Sequence, residues 1–402
     1  MVPAMTQPER VVFEQVRRSV FVVETESGHG SGFLIDASGL IVTNDHVLGR
    51  GSYLAVGVDP DRKYTAVVVA RDPSLDVAVI RVHPQAVTGV KPLTVDRPPG
   101  LEVRIGERVL AIGSAFTDHG AVLTIGTVSQ IASNRILADL NVNSGTSGGP
   151  FLNTNGDVIG ICTFYVRSPA GPGFAGIISI DEVRSVVSRA RMALTPDPPS
   201  LERLPVPSPI PYPATALQER AGAIRDVAAY GTTLAGMRID VLTPPAVYFE
   251  ANQAAILKAR KEGRGGRQEG YGWQALTGRV EPIVGIRVLP DARPRIDHAT
   301  GRPLFRRNVL RMRLLRNGVE IVPIVPGRFC AEGCLALYQY CPEAFAPDGD
   351  LEVQVYLDGA GVTVWKLNPS LIATIWSDFA PWRDVVLQLT SPPRAECQRS
   401  SK

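Results

Sequence analysis

The sequence is short of three things: cysteine, aromatic residues and long apolar runs. Five cysteines and 6% aromatic residues stand in a chain of 402 residues. No apolar run approaches the roughly 20 residues that a membrane-spanning helix needs. The first residues, MVPAMTQPERVVFEQVRRSV, have no apolar core behind their basic residues and do not resemble a signal peptide. We therefore expect no membrane span and a cytoplasmic protein.

The cysteine usage argues against a disulfide framework and against a metal site. An odd, sparse set of five cysteines fits a reducing compartment. Cys330, Cys334 and Cys341 lie close together in CAEGCLALYQYC, but their spacing matches no common zinc-binding pattern. No histidine lies within thirty residues of them to supply a fourth ligand. The sequence thus predicts neither a metal nor another cofactor.

A proline-rich segment divides the chain. Residues 194–213, LTPDPPSLERLPVPSPIPYP, contain eight prolines, which cannot donate main-chain hydrogen bonds and favour extended geometry. We predict a semi-rigid linker here, between a first domain of residues 1–193 and a second domain of residues 214–402. The alternative is a proline-rich strap packed along one domain.

The two predicted domains differ in their patterns. Short β-type runs separated by Gly, Asp, Asn and Pro dominate the first, which is typical of an all-β sandwich or barrel, and Asp181 is expected to cap a closing helix. The second domain shows helical patterns over 214–229 and 246–262, followed by strand patterns. Asn317-Gly318 is typical of a β-hairpin turn. These patterns predict a β-rich α+β second domain.

Basic charge is concentrated in the second domain. Its net charge is +5, whereas residues 1–193 carry a net charge of −1. A nucleic-acid surface is one interpretation, because residues 302–316 contain six arginines. We favour a charged sheet face in which Arg311 and Arg313 alternate with apolar neighbours, because acidic residues are interspersed and no nucleic-acid-binding motif is present. The predicted role is recognition or regulation through a partner.

Three segments of the first domain carry the residue types of a nucleophilic hydrolase. His46 follows a β run in TNDHV, Asp76 begins an apolar strand in SLDVAVI, and Ser147 lies in GTSGGP. A serine hydroxyl needs a neighbouring imidazole to take its proton, and a carboxylate orients that imidazole and stabilises its positive form. Glycines beside the serine let the N–H groups of Gly145 and Ser147, with Thr146, face a developing oxyanion.

These motifs, in the order His, Asp, Ser, resemble the HtrA/Deg branch of the trypsin-like serine peptidases over residues 17–190. The resemblance implies two six-stranded β-barrels, with His46 and Asp76 from the first and Ser147 from the second. It also implies hydrolysis of peptide bonds in a protein or peptide substrate through an acyl-enzyme. By the same resemblance, residues near the specificity pocket are Asn141, Thr163, Phe164, Tyr165 and Gly173.

Two alternatives stay open. Asp72 is a rival of Asp76 for the orienting carboxylate, although its position before Pro73 is typical of a turn residue. The chain is either an active serine endopeptidase or a latent, non-cleaving sensor on a protease scaffold. In the latent alternative a partner of residues 214–402 gates the protein, and gating by nucleic acid is the less favoured form of that control.

Overall fold

The computed structural model describes residues 7–26, 28–49, 51–96, 102–114, 121–132, 135–140, 145–168, 171–261, 280–290, 295–296, 303–304, 309–327, 335–359 and 361–389. The chain divides into two compact units, Met1–Leu204 and Pro205–Lys402. This division falls inside the proline-rich segment. The domain boundaries at residues 193 and 214 stay predictions.

The first unit is built from antiparallel strands with three helices in its described part. The helices are α1 Gln7–Val16, α2 Asp45–Leu48 and α3 Ile180–Met192. The strands are β1 Val20–Thr25, β2 Gly28–Leu34, β3 Leu40–Thr43, β4 Leu54–Asp59, β5 Arg62–Thr65, β6 Val67–Asp72, β7 Val77–Arg81, β8 Arg108–Gly113, β9 Val122–Ala132, β10 Arg135–Asp139, β11 Pro150–Asn153, β12 Val158–Ser168, β13 Gly171–Ser179 and β14 Arg203–Leu204.

These strands form two sheets. The first has the order β14-β5-β4-β1-β2-β3-β7-β6, and the second is a closed barrel in the order β10-β13-β12-β11-β8-β9. The predicted all-β fold is confirmed. Six strands close the second barrel as expected, whereas the first sheet has eight. One of the additional strands, β14, comes from the proline-rich segment.

The proline-rich segment packs on the first unit over much of its length. Arg203 and Leu204 pair with β5, and the guanidinium of Arg81 donates to the main-chain carbonyls of Thr195 and Asp197. At its other end, Tyr212 is buried in the core of the second unit. The prolines of the segment have no main-chain N–H to donate, so the hydrogen bonds at Thr195 and Asp197 are donated by the Arg81 side chain. The segment thus behaves, up to Leu204, as the strap that was the alternative to a linker.

Helix α3 closes the first unit with an amphipathic pattern. Its apolar residues recur at helical spacing and are buried in the hydrophobic core of the first unit: Val183, Val186, Val187 and Ala190. Ser179, not Asp181, caps the helix, since its hydroxyl accepts from the main-chain N–H two residues on. Ser179 ends β13, so its extended backbone suits the cap position, and Asp181 falls in the first turn instead.

The second unit is β-rich α+β, as the sequence predicts. Its described helices are α4 Ala214–Ala223, α5 Pro244–Lys261, α6 Pro369–Asp378 and α7 Ala380–Leu387. Its described strands are β15 Gly231–Leu234, β16 Met237–Leu242, β17 Val284–Pro290, β18 Arg295–Ile296, β19 Pro303–Leu304, β20 Val309–Arg316, β21 Val319–Ile321, β22 Ala336–Tyr340, β23 Leu351–Leu357 and β24 Gly361–Lys366. They form sheets β15-β16-β17-β22, β18-β19 and β21-β20-β23-β24.

The predicted hairpin and charged face both lie in the last of these sheets. Asn317 and Gly318 join β20 to β21 with positive φ angles of 52° and 80°, as a tight primed turn requires. Arg311 and Arg313 alternate with buried residues along β20, and both pair with Glu320 on β21. Because an acidic residue on the same sheet pairs with both guanidinium groups, this geometry fits the favoured charged sheet face.

The cysteines differ from the prediction. Cys341 is disulfide-bonded, although the odd and sparse set of cysteines argued against a disulfide framework. Cys330, Cys334 and Cys397 lie outside the described residues. Cys162 is a free, buried thiol whose burial raises its pKa to about 12, which leaves it inert as a nucleophile. In the part of the chain that the structure describes, no cluster of metal-ligating side chains occurs, and no helix is long and apolar enough to cross a membrane.

Candidate active site

His46 and Asp76 form a close pair in the first sheet. His46 lies in the short helix α2, directly after β3, and Asp76 lies directly before β7, the neighbour of β3. The imidazole Nδ1 is 2.9 Å from each carboxylate oxygen of Asp76. The main-chain N–H of His46 also donates to the Asp76 Oδ1, at 3.0 Å. This arrangement fixes the orientation of the imidazole ring.

Asp76 is held in an unusual backbone conformation. Its φ angle is +61°, a left-handed value that is uncommon for a residue with a side chain and often marks a functional site. The side-chain amide of Asn44, which is fully buried, donates to the Asp76 main-chain carbonyl at 2.8 Å. Asn44 thereby ties the residue before α2 to the backbone of the carboxylate.

The Asp76 carboxyl is kept ionised. Burial on its own would raise its pKa, but hydrogen bonds from His46 and from the Thr163 hydroxyl outweigh this and hold the pKa below its usual value. The Thr163 hydroxyl donates to Oδ2. An ionised carboxylate at this place can stabilise a positive imidazolium on His46.

Asp72 has a different position and different partners. Its Oδ1 accepts from the N–H and hydroxyl of Ser74 and from the N–H of Leu75, and its Oδ2 accepts from Arg189 on α3 at 2.7 Å. The Ser74 and Arg189 hydrogen bonds lower the pKa of Asp72 to about 2. Asp72 therefore stabilises the turn that leads to Asp76, and the geometry favours Asp76 as the partner of the histidine.

A second arginine supports the histidine side of the site. Arg71 binds the carboxylate of Asp45 through two contacts, Nε to Oδ1 at 2.6 Å and Nη2 to Oδ2 at 3.0 Å. Asp45 is the residue directly before His46 and is buried. The sequence analysis did not single out Arg71, whose only signal was its place directly before Asp72.

Ser147 lies on the loop that enters β11, and its hydroxyl is bonded away from the histidine. Its Oγ donates to the main-chain carbonyl of Thr163 at 3.0 Å. Among the described residues, that carbonyl is the acceptor of the hydroxyl, and His46 is not. Attack on a carbonyl would require the hydroxyl to give up this hydrogen bond and to pass its proton to a base.

The turn around Ser147 depends on glycine. Gly145 and Gly148 have φ angles of +97° and +86°, which only glycine adopts readily. A Cβ atom on Gly148 would also lie 2.1 Å from the main-chain carbonyl oxygen of Ser31 in β2. The loop therefore packs tightly against the first sheet, at a serine that the sequence analysis did not select.

Thr163 contacts two of the three predicted catalytic residues. Its carbonyl accepts from Ser147 and its hydroxyl donates to Asp76, while the side chain is buried. The sequence placed Thr163 in the specificity pocket only, and the polar contacts were not predicted because they depend on how β12 meets the turn before β7.

The remaining predicted pocket residues are only partly described. Phe164 and Tyr165 lie in β12, opposite Gly176 and Ala175 of β13, and Gly173 lies in β13. Asn141 lies outside the described residues. Thr146 is buried beside Ser147, and the oxyanion role of Gly145, Thr146 and Ser147 stays a prediction.

Comparison with known proteins places these residues in one recognisable domain. Residues 30–161, which contain His46, Asp76 and Ser147, match the family described as a trypsin-like peptidase domain. The periplasmic serine endoprotease DegP of Salmonella typhimurium is 34% identical over 172 residues, covering 40% of this chain and 35% of that protein. Serine protease HTRA4 of Mus musculus is 37% identical over 190 residues, covering 44% of this chain and 38% of that protein.

Further relatives are similar over the same share of the chain. Protease Do-like 1, chloroplastic, of Arabidopsis thaliana is 36% identical over 191 residues, covering 43% of this chain and 42% of that protein. The matched region thus spans well under half the length of these relatives. A crystal structure of the serine endoprotease from Yersinia pestis covers 46% of this chain and 67% of that chain, with 26% identity and a TM-score of 0.41. Residues 30–161 of this chain therefore match a trypsin-like peptidase domain, and the relatives that this part of the chain is similar to are named as serine proteases and endoproteases.

Proposed function

We propose that the chain is a serine endopeptidase that hydrolyses peptide bonds through Ser147, His46 and Asp76. The single observation that carries this proposal is the His46–Asp76 pair, with Nδ1 2.9 Å from the carboxylate. Within a trypsin-like domain, such a pair directs the other ring nitrogen toward the serine. The relatives named as serine endoproteases support the same activity.

The proposed reaction begins with rotation of the Ser147 hydroxyl from the Thr163 carbonyl to the Nε2 of His46. Because Nδ1–H donates to ionised Asp76, Nε2 is the nitrogen free to accept the serine proton as Oγ attacks the substrate carbonyl. The new imidazolium is stabilised by the carboxylate and then protonates the leaving amine. Water hydrolyses the acyl-enzyme by the same exchange of protons.

The proposed oxyanion donors are the main-chain N–H groups of Gly145 and Ser147, with Thr146 beside them. Donors of this kind stabilise the negative oxygen of the tetrahedral intermediate, and loss of one typically costs about 3 kcal/mol of transition-state stabilisation. The proposed substrate is a protein or peptide. Because Asn141 carries no negative charge at the predicted base of the pocket, we propose a small or medium apolar residue before the cleaved bond.

A latent, non-cleaving protein is the second candidate. It is favoured by one observation, the hydrogen bond from the Ser147 hydroxyl to the Thr163 carbonyl rather than to His46. In this version residues 214–402 bind a regulatory partner that controls the site. Nucleic acid is the less favoured partner, since Glu320 already pairs with Arg311 and Arg313.

The compartment belongs to the proposal as well. The cytoplasmic location expected from the sequence stays a prediction. The disulfide bond of Cys341 weighs against it, because disulfides persist mainly in oxidising compartments. Two relatives are named as periplasmic and chloroplastic.

Labelling with a fluorophosphonate probe tests the activity, with Ser147→Ala as the control. The probe phosphonylates a serine only when a base activates it and donors hold its oxyanion. We expect wild-type protein to be labelled and the variant to be unlabelled. A folded wild type that resists labelling would contradict an active endopeptidase and favour the latent alternative.

A further inference from the structure

Ser31 in β2 contacts the turn of residues 145–149, called here the nucleophile turn, through both its side chain and its main chain. It is fully buried. Its hydroxyl donates to the carbonyl of Gly145 at 2.6 Å, and its N–H donates to the carbonyl of Ser147 at 2.7 Å. The main-chain carbonyls of Gly145 and Ser147, which flank Thr146, are thus both bonded to Ser31 of the first sheet.

The Ser31 hydroxyl also accepts a hydrogen bond. The N–H of Ser114, which directly follows β8 of the closed barrel, donates to the Ser31 Oγ at 2.8 Å. A hydroxyl has one proton to donate and lone pairs to accept with. Ser31 therefore uses its single proton on Gly145 and its acceptor on Ser114, and it joins the first sheet, the barrel and the nucleophile turn in one place.

The Ser31 hydroxyl sets the direction of one N–H group in the turn, and a bond within the turn sets that of the next. A peptide group is planar and trans, so its N–H points opposite to its C=O. Fixing the Gly145 carbonyl on Ser31 therefore fixes the N–H of Thr146. The Thr146 carbonyl in turn accepts from Gly149 at 3.0 Å, which fixes the N–H of Ser147.

The surroundings leave little room for the turn to adjust. A Cβ atom on Gly113 would lie 3.0 Å from the Ser31 Oγ. The Ser31 main-chain carbonyl is also bonded, since it accepts from the Thr43 hydroxyl at 2.7 Å. Loss of the Ser31 hydroxyl would leave a buried carbonyl on Gly145 and a buried N–H on Ser114 without this partner. The peptide planes beside Ser147 would then be free to turn.

We infer that Ser31 is a positioning residue that holds the nucleophile turn in its catalytic shape by binding the carbonyls of Gly145 and Ser147. The inference rests on the proposed function, because it concerns the donors that serve Ser147. Ser31 does not touch the substrate. It acts on the reaction through the N–H of Thr146 and through the backbone shape of the turn that carries Ser147.

The test compares Ser31→Ala with Ser19→Ala. Ser19 is a matched control, since it is also fully buried and its hydroxyl also donates to a main-chain carbonyl at 2.6 Å, that of Lys91, away from the site. The readouts are the rate constant of fluorophosphonate labelling and the temperature of thermal unfolding. We expect Ser31→Ala to label about 100-fold more slowly, as a displaced catalytic group does. Ser19→Ala should keep the wild-type labelling rate. Its unfolding temperature should fall by about as much as that of Ser31→Ala.

The pH dependence of labelling separates positioning from a change at the base. The hydrogen bonds of Ser31 go to Gly145, Thr43, Ser114 and Ser147 and not to the His46–Asp76 pair, so Ser31→Ala should lower the labelling rate at every pH without displacing the pH profile. Equal rates in Ser31→Ala and wild type would overturn the inference, as would equal losses in both alanine variants or a displaced profile.

A second variant decides the matter if Ser31→Ala shows no cooperative unfolding. Ser31→Cys keeps the shape of the side chain with a larger terminal atom, so it leaves no cavity, but a thiol is a weak donor and acceptor. We expect Ser31→Cys to fold and to label at least about tenfold more slowly, because the hydrogen bond to the Gly145 carbonyl is weakened. A wild-type labelling rate would overturn the inference. Absence of labelling in wild type is a separate outcome, because it contradicts the proposed function itself and removes the inference with it.

Discussion

Buried polar side chains have different roles in the two units. In the first unit, polar side chains with almost no exposure, such as Ser31, Asn44 and Thr163, bond to the loops that carry Asp76 and Ser147. In the second unit the buried carboxylate of Asp378 is enclosed by its own neighbours. Tyr230 and Thr243 donate to its Oδ2, at 2.9 Å and 2.7 Å.

The two units differ in whether an ionisable side chain beside the buried polar groups remains exposed. In the first unit His46 remains half-exposed, with 51% of its side chain accessible, beside a carboxylate that can stabilise its positive form. In the second unit, Tyr212 also donates to the main-chain carbonyl of Asp378, so the cluster ties the end of the proline-rich segment to α6. Similar hydrogen bonds therefore support the proposed catalytic residues in one unit and join distant parts of the chain in the other.

The largest expected effect comes from Asp76→Asn. The amide cannot stabilise the imidazolium and permits the unproductive tautomer of His46, so we expect labelling of Ser147 to slow by about 10⁴-fold at neutral pH. The measurement is the labelling rate, with thermal unfolding as a check on folding.

Asp72→Asn is the matched control for this change. It also converts a carboxylate to an amide, four residues earlier, and the amide oxygen can still accept from Ser74 and Leu75. We expect labelling close to the wild-type rate. A greater loss in Asp72→Asn than in Asp76→Asn would reverse the assignment of the orienting carboxylate.

A smaller effect on the labelling rate is expected at Thr163, and Thr243 provides a matched threonine in the second unit. Thr163 and Thr243 are both buried, and the hydroxyl of each donates to an aspartate, Asp76 in one unit and Asp378 in the other. A hydrogen bond to a charged group contributes about 1.5–3 kcal/mol. We expect Thr163→Val to slow labelling about tenfold or more, since the Asp76 charge is then less well held.

Thr243→Val is expected to leave the labelling rate unchanged and to destabilise the second unit by about 2 kcal/mol. All four tryptophans lie after residue 270, so tryptophan fluorescence during urea unfolding reports on the second unit. If Thr243→Val slowed labelling as Thr163→Val does, the division between a reactive and a structural cluster would be wrong.

The smallest expected effect is the pH dependence of Asp378. Burial raises the pKa of its carboxyl, although hydrogen bonds from Thr243 and Tyr230 partly oppose this. A carboxyl whose pKa is higher in the folded state binds its proton more tightly there. Its stabilising contribution is therefore complete below the ordinary aspartate pKa of about 3.9 and is lost as the pH rises through the folded value.

Asp378→Asn should remove this dependence. The amide oxygen can accept the same two hydrogen bonds, and no charge forms at any pH. We expect the stability of the wild-type second unit, relative to the variant, to decline as the pH is raised from about 4, by about 1.4 kcal/mol for each unit of pKa shift. Urea unfolding followed by tryptophan fluorescence measures it. A constant difference between the two proteins would show that Asp378 has an ordinary pKa.

Much of the site could be predicted because its residues lie in short motifs. His46, Asp76 and Ser147 each stand in a local pattern that one strand and its adjoining turn account for. Ser31 and Thr163 could not be selected in this way as contacts of the proposed catalytic residues or of the turn beside Ser147. Their partners lie 114 and 87 residues away in sequence, respectively at Gly145 and Asp76.

The proline-rich segment shows the same limit in the fold. Its composition predicts extended backbone, and β14 is extended as predicted. Its docking depends on the exposed edge of β5 and on Arg81, which donates to two of its carbonyls. Neither partner can be identified from the segment itself.

The sequence by itself determined the strand-rich first unit, the Asn317-Gly318 hairpin and the three motif residues, because apolar alternation, turn chemistry and short motifs act over a few residues. Tertiary structure alone decided that the Asp76 carboxyl is bonded by Thr163, that Ser31 binds the carbonyls of the nucleophile turn, and that the Ser147 hydroxyl donates to Thr163. The physical reason is that a hydrogen bond depends on distance and angle between particular atoms, and those are set only when separate strands pack together.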